Sequence, residues 1–132
     1  RDIRRITDIK QLQLAAELYF DGEGNGSYPP GTLLEVLIPK YIPVLPSDPL
    51  TGRPYAYQAI TNPTTPQACS KKPCLSYHLG ADLEEDEGLG SKGNQSLMYD
   101  RDFSLPGSWH GHSADCVSTR KSSVDGCYDV TP

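Results

Sequence analysis

No stretch of this 132-residue chain approaches the roughly 18 consecutive apolar residues that a membrane helix needs. The sequence carries no secretory signal pattern either, so any membrane anchor is expected outside it. It also lacks a surplus of positive charge. Lys plus Arg number 12 against 17 Asp plus Glu, a formal net charge of −5. That excludes the basic footprint on which phosphate binding depends, and no nucleic-acid partner is expected. Gly-rich phosphate loops, internal repeats and C-x-x-C pairs are missing as well. The histidines, His78, His110 and His112, stand near no Ser or Cys nucleophile pattern, and nothing sets two carboxylates across a cleft. No enzyme is read from these residues, and no catalytic residue or organic cofactor is assigned.

What is present begins at the first residue. RDIRRITDIKQLQLAAELYFDG reads as one long amphipathic helix over 1–22. At about 100° per residue, Ile6, Ile9, Leu12, Ala16, Tyr19 and Phe20 fall on one broad face. Leu14 and Leu18 form a second strip, leaving the C-terminal half apolar nearly all round. Arg1, Arg4, Arg5, Asp8 and Gln11 sit largely outside the first face. Asp21-Gly22 supplies the stop, with Gly22 expected in the left-handed conformation. The helix opens without a cap, so it is expected to be the lower half of a longer rod whose apolar first half is not in this chain.

Twelve Gly and twelve Pro, concentrated after residue 22, describe a loop-rich body. Such a body needs staples, and Cys69, Cys74, Cys116 and Cys127 can form them. Three pairings are possible; sequence neighbours favour Cys69–Cys74 and Cys116–Cys127. An even count in an acidic, loop-rich domain points to an oxidising compartment.

After the EGNGSYPPG turn cluster, Thr32 with Glu35 reads as a capping box opening a short helix that ends before Pro39. The aromatic alternation in Pro54–Gln58 predicts a strand. Leu75–Leu83 predicts a second, paired antiparallel with the first across a Pro-rich loop. Gln95–Tyr99 is a weaker third strand, and Asp100–Pro132 is expected to be mostly irregular. The fold class is therefore α+β: a long N-terminal helix covering one face of a small antiparallel sheet. Residues 1–132 make one domain, divided into the helix (1–22), an αβ loop with a short helix (23–54), the sheet (55–99) and a disulfide-stapled C-terminal loop region (100–132).

Taken together, the opening helix ending in E-L-Y-F-D before Tyr28-Pro29, the LPSDPLTGRPYAYQ segment and LSYHLGADLE resemble type IV pilin-like proteins, closest to the major pseudopilin of type II secretion systems and to bacterial type IV pilins. The likeness spans roughly residues 1–100; FSLPGSWHGHSADC and CYDVTP depart from it. The resemblance implies a pilin fold and a subunit that polymerises with itself and with other pilin-like chains through its N-terminal helix. It implies an apolar stalk, cleaved and methylated by a prepilin peptidase, that holds the subunit in the inner membrane before assembly. It places the product in a periplasmic filament or an extracellular one at the cell surface. It further implies a structural calcium after the second strand, for which Asp82, Asp100 and Asp102 are the candidates, beside the acidic run Glu84, Glu85, Asp86 and Glu87. Arg1, Arg4, Arg5, Asp8 and Glu17 are expected to make ion pairs between subunits or along the stalk.

A rival reading is a secreted ligand-binding or adhesion module that presents Trp109 and the acidic loop. His110 and His112 are a weaker metal-chelating pair. The sequons at Asn25 and Asn94 are read as incidental.

Overall fold

The computed structural model describes residues 1–83, 104–105, 109–110 and 127–132. Helix α1 runs Asp2–Asp21, 20 residues, or about 30 Å at about 1.5 Å per residue. A short 3-10 helix spans Glu35–Leu37. Strands β1 (Ala56–Ile60), β2 (Ser76–Asp82) and β5 (Cys127–Val130) form a three-stranded antiparallel sheet in the order β1-β2-β5. Strands β3 (Ser104–Leu105) and β4 (Trp109–His110) pair separately.

Why α1 lies on the sheet follows from period matching. Its buried positions Ile9, Leu12, Ala15, Ala16 and Tyr19 recur at helical spacing. The alternate residues Tyr77, Leu79 and Ala81 of β2 belong to the same apolar core, with Tyr57 and Ala59 opposite them on β1. Tyr28 fills the junction, its ring 4.6 Å from Phe20 and 4.8 Å from Tyr77. One core thus welds helix, connection and hairpin.

Several expectations are corrected. Gly22 has φ −104°; past the helix end it is Asn25 and Gly26 that are left-handed, at φ 50° and 87°. A Cβ on Gly22 would lie 2.3 Å from the Tyr41 hydroxyl, so a side chain there would have to push the phenol aside. The Thr32–Glu35 capping box does not form. The 3-10 helix is capped at Leu34 with no side-chain bond, since Leu34 and Leu37 are drawn into the core. Strand β1 begins two residues later than read, because Pro54 bridges back to Ser47. The third strand of the sheet comes from the tail, at Cys127–Val130, within the region expected to be irregular. The Gln95–Tyr99 strand lies outside the described residues.

The Cys69–Cys74 bond is formed, with an S–S distance of 2.08 Å. Cys127 is disulfide-bonded too; its expected partner Cys116 lies outside the described residues.

Candidate assembly surface

The first turn of α1 is fixed by charge. Arg5, only 2% exposed, donates from Nε to Asp48 Oδ2 at 2.7 Å and from Nη2 to Asp48 Oδ1 at 3.1 Å. Its Nη1 donates to Asp2 Oδ1 at 2.8 Å. Asp48 is the right acceptor because it opens a tight turn, taking the backbone N–H groups of Leu50 and Thr51 on Oδ1; Gly52, at φ 72°, completes that turn. The Arg5 guanidinium, and then those backbone donors, hold the Asp48 carboxyl far below the usual carboxylate range.

Farther along the helix, Tyr55 donates its hydroxyl to Asp8 at 2.7 Å and Tyr28 donates to both Glu17 oxygens at 3.1 and 3.0 Å. Burial first, and the neighbouring carboxylates next, push both phenols well up. Arg5, Asp8 and Glu17, expected to make ion pairs between subunits or along the stalk, have partners within this chain, and Arg5 and Asp8 are buried rather than placed outside the inner face. Sequence periodicity undervalued them because a satisfied ion pair can occupy an otherwise apolar face.

The outer face of α1 is different in kind. Ile3, Thr7, Gln11, Leu14 and Leu18 lie within about 80° of one another at about 100° per residue. All are exposed, with Ile3 at 83%, Leu14 at 62% and Leu18 at 48%. Leu14 and Leu18 border a groove of about 350 Å³ whose far wall is Tyr41, Ile42 and Pro43. The wall is held up from the helix end: the Glu23 N–H donates to Tyr41 Oη at 2.8 Å, and the Tyr19 and Tyr41 rings meet edge to face at 5.8 Å. More exposed aliphatics, Leu33, Val36, Ile38 and Val44, follow along the connection. Exposed aliphatics in this number, two of them lining a groove, make this face the candidate interaction surface.

Asp82, a proposed calcium ligand, is exposed at the end of β2 and lines a cavity of about 380 Å³ with Arg5, Asp48 and Arg53. In that lining Asp48 is bonded to Arg5, and the Arg53 side chain stands nearby. Among the described residues no three His, Cys, Asp or Glu side chains gather as a metal site. Asp100, Asp102, His112 and the run 84–87 lie outside the described residues, as do the side chains of Trp109 and His110.

Sequence reasoning missed one polar pair. His78 and Asp129, both fully buried, meet through Nε2 and Oδ2 on the sheet face turned away from α1. Burial pushes the imidazole below its ordinary value. The signal was present in part: His78 alternates with Tyr77 and Leu79, so it had to face the other side. Of the sequons, Asn25 is exposed, but Ser27 is buried and its hydroxyl is consumed, accepting from Cys74 N at 2.8 Å and donating to Tyr28 O at 2.9 Å. Asn94 lies outside the described residues.

The fold therefore defines an α+β protein in which one helix covers a small antiparallel sheet. Comparison with family models, curated proteins and solved structures gives no match, so function is argued from the surface itself. No helix among the described residues is long and apolar enough to cross a membrane.

Proposed function

We propose that this chain is a pilin-like structural subunit of a type IV pilus or type II secretion-type filament, and that it polymerises through α1. The observation that carries the reading is the division of α1 into two faces. The inner face is satisfied by the sheet, and the outer strip of Ile3, Leu14 and Leu18 is left to solvent. A helix that served only its own domain would gain nothing from that strip. One that packs against neighbouring copies needs it, at about 25 cal/mol per Å² of apolar area covered.

The Arg5–Asp48 bond and the Cys69–Cys74 staple support the same reading, because a load-carrying helix must be held to its domain at both ends. Repetition of one heterologous contact yields an open polymer rather than a closed ring when the rotation does not close. The subunit is a structural protein in this account, with the filament as its partner. Expression of the complete precursor with its assembly machinery tests the proposal. Filaments containing this chain are the expected product; subunits that stay dispersed with stalk and machinery intact would refute it.

A further inference from the structure

The Cys69–Cys74 loop does more than close on itself. Cys74 O accepts from Tyr28 N at 2.9 Å and Cys69 O accepts from Gly31 N at 2.8 Å. Cys74 N donates to Ser27 Oγ at 2.8 Å. The same loop reaches the strand, with Cys69 N donating to Ala59 O at 2.8 Å, while Ala59 N donates to Gly31 O at 2.8 Å. It reaches the helix as well: Lys72 Nζ sits 5.0 Å from the centre of the Tyr19 ring and donates to Glu23 O at 3.5 Å. Helix end, connection and hairpin therefore meet on one six-residue loop that the disulfide closes. Both cysteines are buried, Cys74 completely.

We infer that the Cys69–Cys74 pair is an oxidation latch that fastens the C-terminal end of α1, and with it the Tyr41 wall of the groove, to the sheet. Closure is thiol–disulfide exchange with an oxidant of the disulfide class. The two thiols surrender two electrons and two protons, the Sγ–Sγ bond forms, and the oxidant's S–S bond becomes two thiols. Closure therefore requires the reduced loop to expose its thiols to the oxidant. Once shut, the bond lies beneath the backbone it has drawn in, and attack by an external thiolate requires that backbone to lift again. The latch thus acts in one direction in an oxidising compartment. The opposite end of the helix is held by Arg5 and Asp48 and does not depend on it. The consequence for assembly rests on the filament reading; the latch itself does not.

Native-state amide hydrogen exchange on the chain and on its Cys69→Ser/Cys74→Ser variant, which leaves the Cys127 bond in place, tests this. Exchange at Tyr28 and Gly31, whose amides bond to the loop, is expected to quicken on the order of 30-fold by local opening of the unclosed ring. The amides of Arg5, Asp48 and Gly52 should keep their rates. Equal acceleration everywhere, or none at Tyr28 and Gly31, would overturn the latch. Should the variant fail to fold, the intact chain decides. Under a dithiol in native buffer, Cys69 and Cys74 should resist alkylation until denaturant is added. Rapid native reduction of this pair would refute the inference. Filament formation enters neither readout, so the latch and the subunit reading stand or fall separately.

Discussion

Arg5 and Asp48, 43 residues apart in sequence, meet through two hydrogen bonds that place the first turn of α1 against the Asp48–Gly52 turn. Arg5 is nearly inaccessible and the Asp48 side chain is 13% exposed. Removing the Asp48 charge leaves the buried guanidinium with Asp2 as its carboxylate and weakens the anchor of the turn. Asp48→Asn should therefore cost about 2 kcal/mol, below the full cost of an unmatched buried charge, measured by urea unfolding near neutral pH.

The same pair sets the acid limb of stability. Arg5 lowers the folded-state pKa of Asp48, so its contribution is complete above the unfolded value of about 4 and is lost as pH falls below it. Unfolding free energy should drop between about pH 4 and about pH 2, and Asp48→Asn should flatten that decline. An unchanged acid slope in the variant would show that other carboxylates govern it.

At the alkaline end the tyrosines take over. Burial raises Tyr28, Tyr55, Tyr57 and Tyr77 above their ordinary value. Their stabilisation is present below about pH 10 and vanishes as pH climbs past it. Ultraviolet titration should show part of the phenolate signal delayed and appearing cooperatively with unfolding. Smooth titration of every tyrosine near pH 10 would contradict the packed ring cluster.

The helix exit gives a steric prediction. A Cβ on Gly24 would lie 2.1 Å from the Ser27 carbonyl oxygen and 2.7 Å from the Tyr19 ring, whereas on Gly22 the close neighbour is the tip of the Tyr41 side chain. Backbone cannot step aside as a phenol can. Gly24→Ala should cost about 3 kcal/mol and Gly22→Ala about 1 kcal/mol, read as Tm shifts in that order. Gly22→Ala should be milder still in a Tyr41→Phe background.

How much of this was legible beforehand depends on the range of the forces involved. Helix α1 was readable to within a residue, because its inner face repeats at helical spacing and Gly22 ends it. The β1–β2 pairing was readable from the alternation of Tyr55, Tyr57, Tyr77 and Leu79, and Cys69–Cys74 from proximity. The burial of Arg5 was hidden, since its partner lies in a turn far along the chain. Strand β5 escaped because four residues, Cys127–Val130, carry too little pattern and are fixed by hydrogen bonds to β2. Thr32 and Glu35 offered a convincing local cap, yet burial of Leu34 and Leu37 outweighed it. On the candidate surface, the Leu14–Leu18 strip was visible as a second stripe. The groove wall at Tyr41 and Pro43 was not, because only the tertiary fold sets it beside the helix.

The account's central claim is that the outward strip of α1 exists for contact between subunits. Leu14→Lys and Leu18→Lys, made together in the complete precursor, address it most directly, with filament yield counted beside the unfolding free energy of the isolated chain. Because both side chains already face solvent, stability should move by no more than about 0.5 kcal/mol each, while filaments disappear. Filaments at normal yield from a correctly folded double variant would contradict the claim.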